Sequence, residues 1–368
     1  MEPSKIKKHA WVSATVIIII AVVVSYFVFV QVSITDTEFS DSVENAEQSF
    51  NVGNLNVSIS ELEILLGKDL SDVSRADVLI ALASAYAQKG SIEFKETEYG
   101  TKALAAINEA LLIVPNSSNA YRVMAYAYEI MQDYNKAIPA YETAISLNQN
   151  NAMAYSGLGH AYDLIGDKVK AEVNLKEAVR IDPSLDHALY NLAKVNFALQ
   201  KLSEAEKYAR MTIVESKNNR FISEATSLLG LVAMKQLKHK EAVDLFEKAI
   251  EADSTLVHNY VFLADAKIAL FASGGDLLAI ENYDEKEATL FKDTSALIEK
   301  AISINPNYTS AYLVKAKILG LSNKRSEVIP TLREGLRVVE TDITLSATEK
   351  DAMKIHLNET ITNYSKQL

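Results

Sequence analysis

The apolar positions of this chain fall into one unbroken run followed by a long series of stripes. From Ala10 to Ile34 no side chain is charged, and at helical rise such a run can cross a hydrocarbon layer of roughly 30 Å. It predicts a transmembrane helix over 10–34, enforced by a solvent that leaves backbone amides no partner but one another. Lys5, Lys7 and Lys8 precede the run, and Asp36, Glu38, Asp41, Glu44 and Glu47 follow it. The predicted topology is therefore single-pass, with residues 1–9 cytoplasmic and the remainder extracytoplasmic. Trp11 at one end and Tyr26, Phe27 and Phe29 near the other suit the two membrane interfaces. A cleaved secretory signal would need a shorter apolar core and a small-x-small site, which VFVQVSIT supplies poorly.

Beyond the run, apolar residues recur at helical spacing. Tyr121, Met124, Ala125 and Tyr128 stripe one predicted helix, and Ala137, Tyr141, Ala144 and Ile145 stripe the next. Residues 152–185 repeat the arrangement with Tyr155, Leu158, Gly159 and Tyr162, then Ala171, Leu175, Ala178 and Val179, closing on Pro183. Ala137, Ala171 and Ala205 are spaced by 34 residues. Self-similarity at that period predicts stacked helical hairpins, each burying its apolar face on its neighbours.

Looser copies extend the series. Leu189, Leu192, Ala193, Ala205 and Ile213 form one, and Leu229, Gly230, Ala242, Phe246, Ala249 and Ile250 form another after a shift of three residues near 220–222. Upstream, Leu79, Leu82, Ala83 and Tyr86 pair with Ala103, Ile107, Ala110, Leu111 and Pro115 across about eight inserted residues. Downstream, Tyr260, Leu263 and Ala264 pair with Ile298, Ala301, Ile302 and Pro306 across a longer insertion, and a last unit has Tyr312, Ala316, Leu319, Val328, Leu332 and Leu336. Ser346 and Glu349 form a capping-box pattern ahead of the stripe Met353, Leu357, Ile361 and Tyr364, which predicts a closing helix. Phe39, Val43, Ala46 and Phe50, then Leu55, Ile59, Leu62 and Leu66, read as a degenerate hairpin or linker over 35–75.

These residue classes resemble the tetratricopeptide repeat. That family places a large residue, a Leu, a small residue and a Tyr on its first helix, and Ala, an aromatic or Leu, Ala and an aliphatic on its second. The resemblance implies a right-handed superhelix (an α-solenoid) of about seven hairpins over 76–340, which with the predicted N-terminal transmembrane helix and a capping helix over 341–368 makes an all-α fold. It also implies a protein-binding scaffold rather than an enzyme. The groove positions of the family fall on Arg122, Tyr126 and Glu129, on Ser156, His160 and Asp163, and on Tyr190, Lys194 and Phe197, with Asn191 beside them. Aromatic rings, both charge signs and amide donors together suit an extended peptide or a helix of a partner. Some family members clamp a C-terminal carboxylate with two basic residues and two Asn. Here only Arg122, Asn191 and Lys194 answer to that set, and Tyr126 stands where an Asn would be, so a C-terminal carboxylate ligand is not expected.

Composition narrows the function further. Lys and Arg number 37 against 48 Asp and Glu, a formal net charge of −11, which disfavours a nucleic-acid partner. With no cysteine, neither a disulfide nor a thiolate metal site is available. The six histidines lack helical metal-ligand spacing, Gly157-Leu158-Gly159 follows no strand, and Gly67-Lys68 lacks its phosphate-loop partners. No cofactor is expected. The acidic insertion at 273–293 carries Asp276, Glu281, Asp284, Glu285 and Glu287 without EF-hand spacing, and it reads as a helical extension and a secondary partner surface. Sequons stand at Asn56, Asn116, Asn307, Asn358 and Asn363. The partners expected are thus a polypeptide and, through 10–34, the lipid bilayer. Homo-oligomerisation through the array stays open as an alternative, as does a cytoplasm-facing adaptor if the topology is inverted; the apolar run has no Gly-x-x-x-Gly pattern to pair it.

Overall fold

The structure is a computed structural model that describes residues 54–273 and 285–366. Among the described residues there are sixteen α-helices and no strand. They are α1 (Leu55–Leu66), α2 (Asp72–Glu93), α3 (Glu96–Ile113), α4 (Ser118–Ile130), α5 (Tyr134–Leu147), α6 (Ala152–Leu164), α7 (Lys168–Ile181) and α8 (Asp186–Ala198), then α9 (Leu202–Glu215), α10 (Asn219–Lys235), α11 (His239–Ala252), α12 (Val257–Ser273), α13 (Glu285–Ile304), α14 (Thr309–Leu321), α15 (Arg325–Val338) and α16 (Ala347–Ser365). The chain divides into two compact units, one up to Ala161 and one from Tyr162.

In the first unit, Ala76, Leu79, Ala83, Ala103, Ile107, Ala110, Ala120 and Val123 share one core across α2, α3 and α4. Leu55, Ile59, Leu62 and Leu65 of α1 cover the outer side of α2 at Val78, Leu82 and Ala85. In the second unit, successive hairpins repeat one solution, with Ala171 and Leu175 against Leu192 and Val195, and Ala242 and Phe246 against Leu263 and Ala266. Small residues at these crossings let helix axes approach closely enough for the larger neighbours to interdigitate. At the C-terminal end, Met353, Leu357, Ile361 and Tyr364 of α16 lie on Ala316, Leu319, Val328 and Leu332. Ser346 and Glu349 complete both halves of the capping box that starts this helix.

Two devices recur in both units. The turn inside a hairpin passes through the left-handed region at Gln132, Gln200, Leu237 and Asn323, with φ of 60°, 60°, 60° and 56°, and at Gly166 with φ of 88°. The amide after it reaches back over the helix end, as in Asp133 N to Tyr128 O at 2.9 Å and Lys238 N to Ala233 O at 2.9 Å, so terminal carbonyls are satisfied. Between hairpins a serine and an asparagine act together. Ser118 Oγ donates to Ala144 O at 2.7 Å and accepts from Asn151 Nδ2 at 2.8 Å in the first unit. Ser223 Oγ donates to Ala249 O at 2.7 Å and accepts from Asn259 Nδ2 at 2.9 Å in the second.

The expected membrane-spanning fold and single-pass location are corrected. No helix among the described residues is long and apolar enough to cross a membrane, and residues 10–34 lie outside the described residues. The described helices carry polar or charged residues among their apolar ones, so none is apolar throughout. A lipid partner through an N-terminal helix is correspondingly without support. Among the described residues the fold is an all-helical repeat solenoid. Phe39, Val43, Ala46 and Phe50 also fall outside the described residues.

The insertions appear as helix rather than loop. The residues inserted near 90 extend α2 to 22 residues and α3 to 18, against 13 and 14 in the next hairpin. The three-residue shift near 220 is absorbed by α10, 17 residues long. Of the acidic insertion, Glu285 and Glu287 lie in the first turn of α13, and Asp276, Glu281 and Asp284 lie outside the described residues.

Candidate functional site

In the first unit the candidate residues gather around a buried carboxylate. Glu129, on the last turn of α4, is 7% exposed. Its Oε2 accepts a hydrogen bond from the Tyr141 hydroxyl at 3.1 Å, and its Oε1 lies 2.9 Å from His160 Nδ1. Tyr141 reaches it from α5 because Gly157 of α6 leaves room. A Cβ at Gly157 would lie 2.4 Å from the Tyr141 ring. Burial, together with the neighbouring Glu129, holds the Tyr141 phenol well above its ordinary range, so it stays a donor. One turn earlier on α4, half-buried Tyr126 is pushed up to about 12, by burial first and Glu129 second. Arg122, another turn back, is also half-buried; burial lowers its guanidinium while the Tyr141 and Tyr126 rings nearby act in the other direction. It donates one hydrogen bond, Nε to Asn119 Oδ1 at 2.9 Å, and forms no ion pair among the described residues. Ser156 is 1% exposed and its hydroxyl has no partner among the described residues.

In the second unit Asp163 plays the same part with lysines. It is 5% exposed, with Lys168 Nζ 2.5 Å from Oδ1 and Lys194 Nζ 3.0 Å from Oδ2. Burial acts to raise the Asp163 carboxyl, but the two ammonium groups outweigh it and hold the group below its ordinary value. Farther along, Tyr190 of α8 donates to Glu224 Oε2 of α10 at 3.1 Å, and His258 Nε2 of α12 lies 3.4 Å from the same oxygen. The Tyr190 and Phe221 rings stand 6.0 Å apart and those of His258 and Phe262 5.6 Å apart. Burial keeps the His258 imidazole below its ordinary value despite the nearby Glu224, so it is neutral at neutral pH. Asn191 is half-buried beside Tyr190, and half-buried Phe197 packs on Ala193, Ala209, Ala225 and Leu228.

The structure thus joins Glu129 with His160 and Asp163 with Lys194, both pairs 31 residues apart, and turns Glu129, Ser156 and Asp163 inward rather than toward solvent. Tyr141, Lys168, Glu224 and His258 belong to these clusters but were not among the candidates. The signal for the first pairs was present, since the last of the three groove positions in one 34-residue frame neighbours the second in the next. Glu224 stands 34 residues after Tyr190, but the three-residue shift near 220 hid that register.

Residues 125–166 match the family described as TPR repeat, and 152–185 match the tetratricopeptide repeat. Residues 125–185 thus carry tetratricopeptide repeats. Among solved structures, this repeat protein is similar to the Cut9–Hcn1 hetero-tetramer of the APC/C, with a TM-score of 0.58 and 12% identity over 82% of this chain and 52% of that one. It therefore spans about half the length of the matched chain of that assembly. It is also similar to Pseudomonas aeruginosa PilF, with a TM-score of 0.53 and 14% identity over 67% and 99% of the two chains. A tetratricopeptide repeat protein from Parabacteroides merdae gives a TM-score of 0.52 and 14% identity over 75% and 98%. At these identities the likeness shows the fold alone. No curated protein matches in sequence. Among the described residues of this repeat protein, no group of three or more His, Asp or Glu is placed to hold a metal ion.

Proposed function

We propose that the protein is a non-enzymatic scaffold that holds a stretch of a partner polypeptide against the first-helix faces of its repeats. The observation that carries this reading is the unspent hydrogen-bonding capacity beside half-buried Tyr126 and buried Tyr141. Arg122, near Tyr126 and Tyr141, uses one of its five N–H donors on a protein group among the described residues. A peptide offers what such a face lacks, namely carbonyl and carboxylate acceptors and side chains that cover aromatic rings. Both units also fix their central carboxylates with internal partners, which gives a pre-ordered surface rather than one that must organise on binding. The acidic balance of the chain, net −11, runs against a nucleic-acid ligand.

A photo-crosslinking residue placed at Tyr126 or at Lys194 in the full chain tests the reading, with Leu112 and Val214, 86% and 78% exposed, as positions off the face. The scaffold reading expects adducts to a distinct polypeptide from Tyr126 and Lys194 and not from Leu112 or Val214. Adducts only to a second copy of this chain would replace it with self-assembly. Equal labelling at all four positions would overturn it.

A further inference from the structure

The Glu224 cluster leaves a carboxylate oxygen without a partner. Tyr190 and His258 both approach Oε2, at 3.1 and 3.4 Å, and Oε1 accepts no hydrogen bond from any described residue. Glu129 and Asp163, by contrast, have a partner on each oxygen. The Glu224 side chain is 20% exposed, so the carboxylate is partly open to solvent. The two rings that reach it are each packed on a second ring, Tyr190 on Phe221 at 6.0 Å and His258 on Phe262 at 5.6 Å.

A negative group beside aromatic rings is complementary to a planar cation, which can pair with the carboxylate and lie over a ring at once. The imidazole of His258 does not supply that charge, since burial keeps it neutral at neutral pH. Arg220, one turn back on α10, is exposed and forms no ion pair among the described residues. It lies near enough to influence Tyr190 and His258, which makes it an internal competitor for the same oxygen. Lys194 is already committed to Asp163.

We propose that Glu224, held between Tyr190 and His258 with Phe221 and Phe262 packed on those rings, seats an arginine side chain of the bound polypeptide. Arginine is favoured over lysine because its guanidinium is planar, presents paired donors and is more weakly hydrated than an ammonium. The inference rests on the scaffold reading above and names the chemistry that one face of the second unit selects.

The test uses the full chain and two pools of short soluble peptides with the same randomised flanks, one with a fixed central arginine and one with citrulline, its neutral isostere. Binding is read by fluorescence anisotropy. The arginine pool should bind about tenfold or more tightly, the worth of a charge-assisted, ring-covered contact. Glu224→Gln, which keeps an oxygen for Tyr190, should remove that preference, and Arg220→Gln should strengthen it. Equal binding of the two pools to the unsubstituted chain would overturn the arginine seat while leaving the scaffold reading standing. Binding of neither pool would overturn both. A preference that survives Glu224→Gln, with the circular dichroism spectrum unchanged, would move the cation to another site and overturn the assignment to Glu224. Should that variant lose its helical spectrum, the citrulline comparison on the unsubstituted chain decides.

Discussion

In the first unit Glu129 has one oxygen for Tyr141 and the other for His160, and it is 7% exposed. In the second unit Glu224 receives Tyr190 and His258 on a single oxygen and is 20% exposed. The two clusters use the same three residue types, and they differ in where the tyrosine comes from. Tyr141 arises from the second helix of its hairpin and passes beneath Gly157 to reach Glu129, so the carboxylate is closed in between layers. Tyr190 and His258 arise from the first helices on either side of α10, so Glu224 stays at the face those helices share. A carboxylate closed from below adds order to the fold, whereas one bracketed from the sides keeps an oxygen for a ligand.

The comparison breaks most sharply at Gly157. Gly157→Ala puts a methyl group into the Tyr141 ring, and unfolding by urea should show a loss of roughly 2–3 kcal/mol, the cost of overpacking a site that cannot open freely. Next come the two tyrosines. Tyr141→Phe strips a donor from a buried carboxylate and should cost about 2 kcal/mol, against about 0.5 kcal/mol for Tyr190→Phe, where water can replace the hydroxyl on Glu224. Equal losses by the same measurement would show that the two carboxylates are equally closed.

Asp163→Asn should cost about 1 kcal/mol at neutral pH, because both lysines are more than a third exposed, at 36% and 41%, and solvent takes up much of what they lose. Since the folded-state value of Asp163 is depressed, its contribution is complete above the ordinary aspartate value and disappears as pH falls through the lower, folded-state value. Acid titrations of stability for Asp163→Asn and the unsubstituted chain should therefore converge in that low range. The smallest effect is a gain. Leu237 holds φ of 60° while 76% exposed, so Leu237→Gly relieves a left-handed side chain and should raise stability by about 0.5 kcal/mol in thermal melts.

Much of the architecture was legible because the 34-residue period is written in residue size. Ala137, Ala171 and Ala205 are all fully buried, and a small residue at a helix crossing is a local requirement that cannot be met by other means. The closing helix was legible for a similar reason, since Ser346 and Glu349 satisfy each other within one turn. The insertion near 90 was read as extra chain between two helices, because counting residues does not say whether they continue a helix or leave it. Gly90 and Tyr99 pack together there, and a Cβ on Gly90 would lie 3.0 Å from the Tyr99 Cβ; this contact between α2 and α3 is seen only once both have been extended.

The sequence by itself determined the helical hairpins, their period, and the small and large positions of the core, because each is set by contacts within one turn or one repeat. The tertiary structure alone decided which polar groups are spent and which remain open. Asp163 is matched by Lys168 and Lys194, Glu129 by Tyr141 and His160, and Glu224 only in part. Those partners come from different helices, and whether a carboxylate is closed depends on the direction from which each arrives, a property of the packed helices that no spacing along the chain encodes.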